Sequence, residues 1–264
     1  MRKLSKIFHN NIGDTMPNIH SNITFGLVNI PVIMNPIIKN NDTSFNQLHS
    51  KCLTRVKYIK YCPHCKKNLK ENDIIKGYQF EKDNYLVFDK DELDKLKPEN
   101  DKEIEVVSFV KESDIPIEYF EKSYFLETEN KSKSYRLFYE ALKKTKLVAL
   151  AKTIISTKFY YCILRLAKEG IIMTTLYFDE EVKIPDKDIN GTVSEKELNL
   201  AIKLIDSMRG KFEPSKYIDE YQDNIKNAIE DKLDGKKIKI SKKKNKTQVK
   251  DLLDALEKSL KENK

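Results

Sequence analysis

Between Ile23 and Ile38 the apolar positions are close-spaced and mostly β-formers: Ile23, Phe25, Leu27, Val28, Ile30, Val32 and Ile33. Gly26 and Pro31 interrupt the run, which predicts a strand, a bend and a second short strand. Lys76–Phe80 and Tyr85–Phe88 flank Lys82-Asp83-Asn84 and predict a hairpin. A short helix is expected over Lys90–Leu96, because Asp91, Glu92 and Asp94 suit a first turn. Ile104–Val110 is a further strand candidate. The period then changes. Tyr135, Phe138, Tyr139 and Leu142 form one stripe of a helix over 134–145. Leu147–Ile155, Phe159–Leu166 and Ile171–Phe178 return to strand character, with Glu169-Gly170 as a turn. So many strands with few helices between them point to a barrel or a curled sheet.

Beyond Pro185 the pattern is helical. Ser194 and Glu197 form a capping box, Leu198, Ala201, Ile202 and Ile205 give the stripe, and Arg209-Gly210 closes the helix. Pro214 is expected to open a second helix that carries Tyr217, Ile218, Tyr221, Ile225, Ala228 and Ile229 and ends at Gly235. Val249, Leu252, Leu253, Leu256 and Leu260 lie at the spacing of one more amphipathic segment. Residues 1–16 read as a loose extension, with Met16 an alternative start. The expected divisions are therefore 1–16, 17–186, 187–235 and 236–264.

Charge sharpens this picture. Of the net +8, residues 236–264 carry a surplus of seven, so the rest of the chain is almost neutral. That rest is polarised. His49–Lys70 holds seven basic residues and no acid, whereas Glu71–Glu129 holds eighteen acids and eight lysines. Such segregation fits one surface built for a polyanion and another that turns it away. Only five of the 49 basic residues are Arg. Lys acts on phosphate as a point charge while bidentate Arg reads bases, so the balance favours backbone binding without sequence preference. The candidate nucleic-acid contacts are Lys51, Arg55, Lys57, Lys60, Lys66, Lys67, Lys70 and Lys76. Tyr58 and Tyr61 are interleaved with the run. Lys236, Lys237, Lys242, Lys243 and Lys244 form a polycation that would add affinity by counterion release.

One motif carries metal chemistry: His49-x2-Cys52, then Cys62-Pro63-His64-Cys65. A Cys-x2-Cys turn puts two thiolates on one edge of a tetrahedron, and a second pair nearby completes a Zn²⁺ site. The expected ligands are Cys52, Cys62, Cys65 and His49, with His64 the less natural fourth. The structural zinc would hold the basic loop rigid without a core of its own. Cys162, in an apolar strand, reads as a core thiol. The N-terminus has no signal-peptide pattern and no apolar run approaches the roughly 18 residues of a bilayer span, so a cytoplasmic, non-membrane protein is expected. A reducing compartment favours metal ligation over disulfides. Phosphate loops, His-Glu-x2-His motifs and nucleophile elbows are absent, which argues against an enzyme.

Several blocks resemble bacterial Ku proteins. Thr24-Phe25-Gly26-Leu27-Val28-Asn29-Ile30-Pro31-Val32 is similar to the family's opening motif. Ser44–His49, Cys62–Cys65, Ile75–Tyr78, Ile115–Phe120, Ser123–Leu126 and Tyr135–Leu142 follow in family order, and Val249–Leu260 resembles the family's Leu-rich end. The resemblance implies a mixed α+β fold: a Ku-like β-barrel core with bridging arms that form a ring as a homodimer, then C-terminal helices and a basic tail. It also implies a nucleoid-associated protein that binds double-stranded DNA ends and recruits and stimulates the ATP-dependent DNA ligase D in non-homologous end joining. Two features depart from the pattern. Ile19-His20-Ser21-Asn22 stand where the family has a Trp, and Ser156-Thr157-Lys158 where an Arg is common. The rival readings of the same residues are a zinc-stabilised RNA- or ribosome-associated protein and an adaptor whose leucine-rich end binds a partner.

Overall fold

The computed structural model describes residues 18–40, 42–96, 103–128, 132–185 and 191–238, together with Leu256 and Ser259. The extension 1–16, Lys242, Lys243 and Lys244, and all of the leucine stripe but Leu256 lie outside the described residues. The chain divides into two compact units, residues 1–184 and 185–264.

The first unit is built on a closed seven-stranded barrel. Its strands are β1 (Ile19–Phe25), β2 (Val28–Pro36), β7 (Glu103–Val110), β8 (Phe120–Glu127), β9 (Val148–Ile155), β10 (Lys158–Ala167) and β11 (Gly170–Leu176). Around the barrel the order is β1-β2-β8-β11-β10-β9-β7. Neighbouring strands are antiparallel except at the seam, where β1 and β7 pair in parallel, Ile23 beside Ile104. Alternation sets the interior. Ile23, Ile30, Val32, Met34, Ile104, Leu126, Ala149, Ala151, Cys162, Leu164, Ile171 and Met173 are buried and form the core.

The break expected at Pro31 does not occur. The bend is the Gly26-Leu27 turn, with Gly26 at φ 56°, and Pro31 lies inside β2 opposite Asn22. β2 pairs with β8 only from Ile33 to Pro36, so the missing N–H of Pro31 falls on an unpaired stretch of edge. Strand β8 has no counterpart among the strands expected from the pattern. Its first half is polar because Glu121 turns inward to accept from the Thr175 hydroxyl, 3.1 Å.

Helix α2 (Lys133–Thr145) starts at Ser132, whose hydroxyl accepts the Tyr135 N–H, and buries Phe138 and Leu142 against the core. Tyr135 ties helix to barrel. Its hydroxyl donates to the Leu126 carbonyl (2.7 Å, β8) and accepts from the Ile171 N–H (2.9 Å, β11). Burial raises its pKa, so the hydroxyl keeps the proton it donates. Tyr135→Phe leaves both backbone groups without this partner and should cost about 1–3 kcal/mol in denaturant unfolding; an unchanged midpoint would mean that other groups satisfy them.

Residues 42–96 are inserted between β2 and β7 and contain two small sheets. The first is β3 (Tyr61–Cys62) with β4 (Lys67–Asn68). The second is β5 (Lys76–Glu81) with β6 (Asn84–Phe88), the expected hairpin, turning at Lys82-Asp83 with Asp83 at φ 63°. Helix α1 (Lys90–Lys95) follows, capped by Asp89. Not one described residue from 42 to 96 is buried.

The second unit contains α3 (Glu195–Ser207) and α4 (Glu220–Leu233). Ser194 and Glu197 make the expected capping box, and α3 ends before Met208 rather than at Arg209-Gly210. Pro214 starts only one 3₁₀ turn. The Asp219 carboxylate accepts the Gln222 N–H and starts α4, so Tyr217 and Ile218 precede the helix that was expected to carry them.

Candidate nucleic-acid interface

The basic run is carried by two successive hairpin turns that share one architecture. In the first, the His49 N–H donates to Thr54 O and the Val56 N–H to Gln47 O, both 2.9 Å, while Leu48 bridges Arg55. In the second, Cys62 pairs with Lys67, Tyr61 with Asn68, and the Leu69 N–H donates to Lys60 O, 2.8 Å. Every one of these positions recurs thirteen residues on, His49 at Cys62 and Cys52 at Cys65. The residue after each second ligand candidate is left-handed, Leu53 at φ 56° and Lys66 at φ 51°.

These hairpins hold Lys51, Arg55, Lys57, Lys60, Lys66, Lys67 and Lys70 in the open, and Lys76 follows at the start of β5, also exposed. Lys60 is engaged by Glu71, 2.7 Å away. The other seven make no ion pair among the described residues. They are free to meet phosphate. Tyr58 stands beside them, 83% exposed, its hydroxyl donating to Gln47 Oε1 at 2.6 Å. At the other end of the described chain, Lys236 pairs with Asp234 at 2.9 Å, which raises its pKa, and Lys237 is exposed.

The metal candidates form two pairs. His49 Nδ1 lies 3.0 Å from Cys52 Sγ, and the Cys65 N–H donates to Cys62 Sγ at 3.4 Å. Hydrogen bonds from the Thr54 side chain, and then from His49, lower the Cys52 pKa to about 7. Bonding to the Cys65 backbone and thiol lowers Cys62, and the hydrogen bond with the Cys62 side chain, then its charge, raises Cys65. Among the described residues no three His, Cys, Asp or Glu side chains stand close enough to hold one ion. His64 approaches Cys65 Sγ only to 3.9 Å. Cys162 is a buried barrel thiol, pushed up to about 12 by desolvation, as the sequence led us to expect. All four cysteines are free.

The barrel, the inserted arm and the motif order together name a family. The model of the Ku70/Ku80 beta-barrel domain matches residues 24–200. The chain belongs to the Ku family. Three proteins that share the name non-homologous end joining protein Ku are similar over nearly the whole chain. The Lachnoclostridium phytofermentans protein is 37% identical over 240 residues, 90% of this chain and 93% of its own. The Desulfitobacterium hafniense protein is 34% identical, over 90% of this chain and 85% of its own. The Bacillus subtilis protein is 35% identical, over 90% and 79%. Ku proteins are scaffolds of end joining rather than enzymes, in agreement with the non-catalytic reading of the motifs. No helix among the described residues is long and apolar enough to cross a membrane.

What sequence reasoning missed here is the repetition. The ligand-x2-Cys spacing at an offset of thirteen was its one visible trace. The matched hydrogen bonds and the two left-handed residues have no signature in composition.

Proposed function

We propose that the protein binds double-stranded DNA ends without sequence preference in non-homologous end joining, as a homodimer whose arms close a ring around the duplex. The observation that carries this reading is the arm itself, which pairs exposed cations with exposed apolar side chains and has no core. A lone two-stranded hairpin is marginal in water. Tyr78 on β5 faces Leu86 on β6, and both are more than half exposed. A second copy supplies the missing cover, because its arm is the matching surface in a two-fold interface. The hairpins that bear the cations then line the passage. A closed collar with charge on its inner wall needs no base contacts and must be entered from an end.

The protein works at the chromosome in the bacterial cytoplasm. Recruitment and stimulation of the ATP-dependent DNA ligase D is assigned to the C-terminal stretch 249–260, on its resemblance to the Leu-rich end of the family. The lysines from 236 onward add non-specific affinity for the adjacent duplex.

The electrostatic part is tested by a salt titration of duplex binding. Lys57→Gln with Lys67→Gln should flatten the dependence of log K on log salt by about 0.9 for each phosphate no longer neutralised. An unchanged slope would exclude both lysines from the interface and move the passage to another face.

A further inference from the structure

We infer that Tyr58 is a stacking platform for an unpaired base at a DNA end, so that the protein distinguishes a single-stranded overhang from a blunt terminus. The inference rests on the end-binding reading above. What carries it is an aromatic ring that is tethered and yet uncovered. Tyr58 is 83% exposed, and its hydroxyl donates to Gln47 Oε1 at 2.6 Å. Among the described residues it makes no ring contact and has no cation over its face.

The fold fixes this ring from two sides. Tyr58 lies in Lys57-Tyr58-Ile59, a connector between the two turns that belongs to no strand. The Val56 N–H donates to Gln47 O at 2.9 Å, which closes the first turn and brings Gln47 opposite the connector. The Gln47 side chain then reaches the phenol from the facing segment. A surface side chain that must be ordered on binding forfeits affinity, and one tethered beforehand forfeits less. With the hydroxyl proton committed to Gln47, the face of the ring is the main surface left for a ligand.

The surroundings select the ligand. Lys51, Arg55, Lys57, Lys66, Lys67 and Lys70 are exposed and form no ion pair among the described residues, and no acid occurs from His49 to Lys70. A single strand of nucleic acid carries a phosphate and a flat π-face at every step, which matches cations interleaved with an aromatic ring. The other exposed rings of the arm keep different company. Tyr78, Phe80 and Tyr85 share the β5–β6 hairpin with Glu81 and Asp83, a setting for protein rather than phosphate.

Preference for an unpaired base follows from the duplex itself. Inside a duplex both faces of each base are covered by its neighbours, so a ring on the wall of a passage cannot reach them. A base beyond the last pair has a free face. Stacking it on an aromatic side chain is worth a factor of about 5 to 150 in affinity. Every base has such a face, so the ring reads strandedness and leaves the collar blind to sequence.

The test uses the full-length protein and duplexes closed at one end by a hairpin loop, which leaves one point of entry. The open end is blunt, carries a short thymidine overhang, or carries an abasic overhang of equal length and equal charge. Fluorescence anisotropy should show the thymidine overhang bound at least about 5-fold tighter than the abasic one. Tyr58→Leu should bring that ratio close to one, and Tyr58→Trp should preserve it. Each ratio is taken within one protein, so any change in affinity for the duplex itself cancels. A ratio near one in the parent, or a ratio that survives Tyr58→Leu, would overturn the stacking and leave end binding standing. Protein that holds none of the three duplexes would overturn both.

Discussion

A protein carrying Tyr78→Glu and Leu86→Glu should sediment as a monomer at concentrations where the parent is a dimer, with the thermal midpoint of the barrel unchanged. The two side chains face each other across the β5–β6 hairpin and no described residue of the arm is buried, so neither contributes to the core of its own chain. Truncating a central interface anchor typically costs about 2 kcal/mol or more, and a buried unpaired carboxylate costs further. A two-fold dimer carries each substitution twice, so four such losses together approach about 8 kcal/mol, the stability of a micromolar interface. Affinity for a short duplex with free ends should fall by at least about 100-fold, since one arm cannot close a collar. A dimer that persists, with full affinity, would place the two-fold contact on another surface. Analytical ultracentrifugation and fluorescence anisotropy on the same preparations separate these outcomes.

Phe138→Ala should be the most damaging truncation on α2, destabilising the barrel by about 3–5 kcal/mol. Phe138 is 3% exposed, stacks on Phe25 of β1 with centroids 5.0 Å apart, and meets Phe109 of β7 edge-on at 6.5 Å. β1 and β7 are the two strands of the parallel seam, so this ring packs over the closure of the barrel. Its loss opens a cavity beside the one parallel strand pair of the barrel. The neighbouring Leu137 is 69% exposed, and Leu137→Ala should stay within about 0.5 kcal/mol of the parent. Equal unfolding midpoints for the two variants would contradict the orientation of the helix.

The residues that were legible in advance are those whose periodicity is local. The stripe of α2 was readable because Tyr135, Phe138, Tyr139 and Leu142 meet one surface at helical spacing. β9, β10 and β11 were readable as apolar, β-rich runs broken by tight turns. β8 was hidden because Glu121 and Thr175 satisfy each other inside the wall, so polar residues stand where the pattern calls for apolar ones. The seam was hidden for a different reason. Residues 26–102 separate β1 from β7, and parallel pairing across such a gap leaves no mark in a window of sequence. Likewise, the start of α4 was misplaced because Pro214 imitates a first helical residue, while the Asp219 carboxylate does the capping.

The interface divides in the same way. The cations, their freedom from acids and the four ligand candidates can be read directly from 49–70. That the turns repeat, and that the apolar side chains of the arm have no cover among the described residues, are facts of three dimensions. An apolar residue in a strand pattern reads alike whether it is buried or not, and Tyr78 and Leu86 are both more than half exposed in this chain.

The most direct test of end-threading is a gel-shift comparison of one plasmid in two forms, linear and covalently closed relaxed, across a salt series. The ring account predicts that the linear form is shifted at salt concentrations where the closed form stays free, because a closed circle offers no entry. Equal shifts of both forms, fading together as salt rises, would contradict it and leave an ordinary polycation bound along the backbone.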